Sequence, residues 1–107
     1  MDKRIIERGI GEIIAKYINE ILKFYEIEAI ILFGSYAKGT NTEESDIDIA
    51  VIFKNFNGDL LDEELNLMRL RRKIDTRIEP HIIRIEDYKN VSNPFVKEVI
   101  NTGIKVA

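Results

Sequence analysis

The run Gly34-Ser35-Tyr36-Ala37-Lys38-Gly39-Thr40-Asn41-Thr42-Glu43-Glu44-Ser45-Asp46-Ile47-Asp48 decides how this chain is read. An apolar run over 29–33 delivers the chain into it, and a second over 49–53 carries the chain away. Two carboxylates two positions apart on a strand face the same way, about 6.6 Å apart along the backbone. That spacing lets Asp46 and Asp48 converge on a pair of Mg²⁺ ions, which in two-metal sites sit about 3.5–4 Å apart. The turn at Gly34 and Ser35 presents backbone N–H groups, the complement of a polyphosphate. A metal site beside a phosphate cradle points to nucleotidyl transfer.

Outward from this core the pattern alternates helix and strand. Ile5, Ile6, Ile10, Ile13, Ile14, Tyr17, Ile18, Ile21, Leu22 and Tyr25 recur at spacings of three and four, an amphipathic helix stripe. Gly9 and Gly11 weaken its first turns. Residues 27–33 read as a buried strand, 35–38 as a short helix that Gly39 ends in a left-handed conformation, and 41–44 as a polar loop. The second strand is expected over 46–53, wet at its start and covered on both sides later. A turn over 55–58 follows, and Asp59 caps a helix with Asp62 in its first turn and Arg69, Arg71, Arg72 and Lys73 at its end. A third strand is expected over 77–85. Pro80, which cannot donate to a ladder, makes it an edge or an irregular pairing. Asn93 and Pro94 start a last helix that ends near Gly103. This is an α+β or α/β domain around one sheet.

With 107 residues the chain is expected to form one domain, residues 1–107. Apolar residues at 45% and charged residues at 33% fit a globular protein and exclude extended disorder. The absence of Cys removes disulfides and thiolate metal sites, and with no signal-peptide core or apolar stretch of about 20 residues the expected location is cytoplasmic. A net charge of −3 and a pI near 5.2 argue against general nucleic-acid affinity. An anionic nucleotide therefore needs metal ions and a few placed cations.

The bland readings run alongside. Asp46 and Asp48 alone could be solvated acids that protect an edge strand, and Ser35 could be a plain helix cap. His81 shares a strand face with residue 79 and could touch a nucleotide or a carboxylate, or simply fill space. The basic run 69–73 could grip a partner's acids or RNA, or be an exposed helix end.

Gly34-Ser35, a ten-residue gap and Asp46-Ile47-Asp48, between two apolar strands, resemble the signature of the DNA polymerase β-like nucleotidyltransferases. Within that superfamily the chain is similar to the minimal nucleotidyltransferases, small proteins paired with helical HEPN partners as toxin–antitoxin systems. The resemblance spans the strand, loop, strand, helix, strand order of residues 27–85. It implies a small mixed sheet flanked by helices, two Mg²⁺ ions, and ATP as substrate. It implies a third catalytic and metal-binding carboxylate on a strand next to Asp46 and Asp48, for which Glu79 is the best match, with Asp75 and Glu86 as rivals. It also implies phosphate contacts from Gly34, Ser35 and Lys38, the last at a position where relatives often carry Arg. The expected activity is transfer of AMP from ATP to a hydroxyl, a tyrosine of a HEPN ribonuclease toxin, with this chain as antitoxin. The alternatives are a non-catalytic module that occludes its partner, and a transferase acting on a small molecule. No membrane and no direct nucleic-acid contact are expected, and homo- or hetero-oligomers are both open.

Overall fold

The computed structural model describes residues 6–55 and 58–107. Ile5 of the first helical stripe and residues 56 and 57 of the expected turn lie outside the described residues. The stripe does build a helix, α1 (Arg8–Leu22), which buries Ile10, Ile14, Tyr17 and Ile21 at spacings of four, three and four. Strand β1 (Ile27–Phe33) follows, then the one-turn helix α2 (Ser35–Lys38), closed by Gly39 in the left-handed region at φ 76°. β2 (Ile47–Phe53) begins one residue later than expected, so Asp46 sits at its entrance. Asp59 caps α3 (Leu60–Arg71) by accepting hydrogen bonds from the N–H groups of Leu61 and Asp62.

The third strand is shorter than its apolar pattern suggested: β3 covers Ile78–Ile83. The chain then turns into a short helix, α4 (Ile85–Lys89), that the sequence reading did not anticipate. Ile85 and Tyr88, one turn apart, lie back against the sheet there, which holds the segment helical and ends the strand. Asn93 and Pro94 start α5 (Pro94–Thr102) as expected, and a two-residue strand, β4 (Ile104–Lys105), closes the sheet.

The strand order is β3-β2-β1-β4, with β2 and β3 parallel and the other neighbours antiparallel, a small mixed sheet as expected. β3 is an edge strand, which accommodates Pro80.

Each sheet face has its own core. On one, Ile30, Leu32, Ile47, Ile49, Val51, Phe53 and Ile78 meet α1 and Leu67 of α3. On the other, Ala29, Ile31, Ala50, Ile52 and Ile83 meet Val96 and Val99 of α5. β2 is thus covered on both sides from Ile49 onward. Burying each of these aliphatic side chains is worth about 1.5–3 kcal/mol. The second core is thinned by its alanines and ends at the start of β2, where the acids take over. Among the described residues no helix is long and apolar enough to cross a membrane.

Candidate active site

Phe33 lies opposite Asp48, and Asp48 opposite Glu79, in one row across β1, β2 and β3. Because alternate residues share a face, Asp48, Glu79 and His81 all stand on the side of Ala50 and Ile52, beyond the edge of the small core. A hydrogen-bonded loop fixes Asp46 at the head of this row: the Thr42 N–H donates to Ser45 Oγ (2.8 Å), and the Ser45 N–H to the Thr42 carbonyl (3.1 Å). The Ile47 N–H then donates to the Arg77 carbonyl at 2.8 Å, locking the entrance of β2 to β3.

Gly34 binds the turn and the acids into one site. Its backbone, at φ 73° and ψ −152°, lies in a region that only glycine adopts readily. A Cβ there would also collide with Oδ2 of Asp48. The Asp48 carboxylate therefore occupies the space where a side chain at 34 would be. Ser35 opens α2, whose first N–H groups no intrahelical carbonyl reaches. Lys38 at the other end pairs with Glu98 of α5 (Nζ–Oε1 3.1 Å).

Burial lifts the Asp48 carboxyl above its ordinary value; hydrogen bonding and charge from His81 partly offset this, while Asp46 and Glu79 add to it. His81 Nε2 lies 3.3 Å from Asp48 Oδ1. Arg71, at the end of α3, donates through Nη1 to the Ile78 carbonyl (2.8 Å) and to Glu79 Oε1 (3.4 Å). The rivals for the third acid are placed otherwise: Asp75 is bound by the backbone and guanidinium of Arg77, and Glu86 lies in the first turn of α4.

Among the described residues no three His, Cys, Asp or Glu side chains already stand close enough to hold one ion together. The donor chemistry nonetheless fits Mg²⁺. That ion favours hard oxygens, and it is usually bound by one or two carboxylates together with substrate phosphates, not by an all-protein cage. A desolvated Asp48 that feels the charges of both other acids gains from a cation placed among them.

Sequence reading singled out Asp46, Asp48, Glu79, Gly34, Ser35, Lys38 and His81. It missed the part of Arg71, which looked like one member of a basic run, of Phe33, which fell in the apolar run of the first strand, and of Phe95. The parity of His81 with Glu79 was the available signal for its contact with Asp48. No local signal shows that Arg71 reaches the sheet edge, because that depends on how α3 docks. A cavity of about 380 Å³ lies elsewhere, lined by Phe24, Tyr25, Asn66, Arg69 and Leu70, and contains no acid.

A sequence profile of the family described as Polymerase beta, Nucleotidyltransferase matches residues 16–107. A Methanocaldococcus jannaschii protein, provisionally named a protein adenylyltransferase, is 40% identical over 95 residues, covering 89% of this chain and 91% of that one. Two crystal structures share the fold. One is a provisionally named nucleotidyltransferase from Sulfolobus solfataricus (TM-score 0.65, 17% identity, 91% of this chain and 78% of that one). The other is a toxin–antitoxin with AMP-PNP (TM-score 0.63, 22% identity, 91% of this chain and 72% of that one). The chain therefore belongs to the polymerase β nucleotidyltransferase family and is an enzyme of that kind.

Proposed function

We propose that this protein transfers AMP from ATP to a hydroxyl of a partner protein, a tyrosine of a HEPN-type ribonuclease toxin, and acts as that toxin's antitoxin. The observation that carries the reading is the contact between Gly34 and Asp48, which makes the phosphate turn and the acid row a single site. The naming of a 40% identical relative as a protein adenylyltransferase supports a protein acceptor. The similarity of fold to a toxin–antitoxin with AMP-PNP supports an adenine nucleotide and a toxin partner.

Asp46, Asp48 and Glu79 would hold two Mg²⁺ ions, which neutralise the triphosphate and stabilise the leaving pyrophosphate. Gly34 admits the β- and γ-phosphates to the backbone, and the Ser35 hydroxyl and N–H bind them. Lys38 exchanges Glu98 for a phosphate oxygen. The acceptor oxygen attacks the α-phosphorus, the bond to the bridging α–β oxygen breaks, and pyrophosphate departs. Glu79, aligned by Arg71, takes the hydroxyl proton as the new bond forms, and would also share in holding the metal. His81 keeps Asp48 oriented between turnovers.

The test is to incubate the chain with its candidate partner, ATP and Mg²⁺, and to read intact mass. An added AMP on the partner, absent with Asp46→Asn/Asp48→Asn, is the expected result. An unmodified partner at every ratio overturns the reading, and neutralisation by the double variant would point to occlusion instead.

A further inference from the structure

Three aromatic rings meet beside the acid row at the margin of the small core, against which Phe33 packs while Phe95 stays largely outside it. Phe33, the residue before Gly34, stands edge-on to His81, with ring centroids 5.0 Å apart and planes at 66°. It is also edge-on to Phe95, at 5.6 Å and 82°, and His81 lies 6.0 Å from Phe95. Phe95 is 43% exposed, although a buried Phe would contribute far more to stability. Its backbone is anchored all the same: Pro94 precedes it in the first turn of α5, and its N–H donates to Asn93 Oδ1 at 2.8 Å. A partly exposed ring on an anchored backbone, beside the proposed phosphate turn, offers its face to another flat ring.

We propose that Phe33, His81 and Phe95 form a stacking platform for the nucleobase, one that recognises a flat ring and does not read its edge. The inference rests on the nucleotidyl-transfer reading of the same site and adds what the rest of the nucleotide touches. Position supports it: Phe33 is bonded to Gly34 and paired with Asp48, so phosphates at that turn place the attached base within reach of these rings. Tethering favours the base over a free acceptor ring, because the phosphates already hold the base near the platform. Chemistry limits what the platform can read. The phenylalanine rings carry no hydrogen-bonding group, and Nε2 of His81 faces Asp48. Stacking of this kind tolerates every base, since each has a π-face.

The test is calorimetry on the full chain with Mg²⁺ and, in turn, ATP, GTP, CTP and inorganic tripolyphosphate. The wild type is expected to bind ATP and GTP about tenfold or more tighter than tripolyphosphate, within the range that stacking provides. ATP and GTP should fall within about threefold of each other, with CTP weaker because its ring is smaller. Phe95→Ala and Phe95→Leu should bind nucleotides as weakly as tripolyphosphate, whose own affinity stays unchanged, whereas Phe95→Trp should retain the preference. Three results overturn the platform alone: nucleotides no tighter than tripolyphosphate in the wild type, a preference preserved by Phe95→Leu, or variants that change only the KM for the acceptor. Failure of all four ligands to bind overturns the transferase reading and this inference with it.

Discussion

Replacing Gly34 with alanine separates a structural glycine from a functional one. At φ 73° and ψ −152° the backbone strain of a non-glycine residue is about 1–3 kcal/mol. The new Cβ would also press on Asp48, whose Cγ and Cβ would lie 3.2 and 3.4 Å away and whose Oδ2 would be closer still. Relieving this means swinging Asp48 off His81, which removes a hydrogen bond worth about 0.5–1.5 kcal/mol. The sum is about 2–4 kcal/mol. At roughly 4–8 °C per kcal/mol for a domain of this size, the melting temperature should fall by about 8–32 °C. Gly39→Ala is the matched control: it has φ 76°, but nothing lies within 4 Å of the added Cβ. It should lose only about 1–2 kcal/mol of backbone strain. Calorimetric melting and ATP titration in Mg²⁺ give both readouts. Gly34→Ala should weaken ATP binding at least about tenfold, since Asp48 and the phosphates compete for the same space, and Gly39→Ala should leave it unchanged. If the two variants melt within a few degrees of each other and both bind ATP normally, the contact that unites the turn and the acids does not exist.

Other expectations follow from contacts at particular residues. Asp46→Asn/Asp48→Asn should abolish AMP transfer, shown by intact mass, and raise the melting temperature slightly in metal-free buffer, because Asp48 is charged against its burial and its acidic neighbours. Added Mg²⁺ and ATP should stabilise the wild type and not this variant. Arg77 holds the Asp75 carboxyl below its ordinary value, first by hydrogen bonding and then by charge. That stability is present above the unfolded pKa near 3.9 and lost as pH falls through the lower folded value. Asp75→Asn should therefore cost up to about 1 kcal/mol at pH 7, and its unfolding midpoint in urea should merge with the wild type's once the pH has fallen below that lowered value. Tyr17→Phe removes the buried donor to the Leu67 carbonyl (2.8 Å) and should cost about 1 kcal/mol with ATP binding intact. Arg71→Met should cost a similar amount in a thermal melt and, unlike Tyr17→Phe, also lower kcat by releasing Glu79.

Most elements were legible because their signals are local. Asp59, Asn93 and Pro94 mark helix starts by chemistry that acts within three residues, and Gly39 ends α2 by a property of its own backbone. Ile49 to Phe53 declares a strand covered on both faces because no polar residue interrupts it. β4 was not legible: two residues carry no period, and they pair only because α5 returns them to Ile31 and Leu32. α4 was hidden because Ile82, Ile83 and Ile85 suit a strand as well as a helix, and docking on the small core decides between them. Asp46 and Asp48 could be read as a pair from their spacing, whereas Glu79 was expected only from the family resemblance. Their neighbours could not be read, since Arg71 and Phe95 arrive from elements whose placement is tertiary.

The unequal cores suggest why the acids stand where they do. α1 and α3 cover one face with long isoleucines and a buried tyrosine, whereas the face bearing the acids carries Ala29 and Ala50 under two short helices, α4 and α5. Small residues let α5 approach the sheet closely, and only its first turn, through Phe95, reaches Phe33 at the end of the row. Stability then resides mainly in the thick layer, and the thin layer leaves a half-buried ledge where Asp48 loses hydration without being sealed from solvent. Arg71 links the two. Anchored on the thick side, it satisfies the free Ile78 carbonyl on the edge strand and reaches Glu79 on the other face. An edge strand left with an open carbonyl invites pairing with another chain. The same guanidinium that closes this edge also holds Glu79, the third acid of the proposed site, so one residue serves both the sheet's exposed margin and that carboxylate.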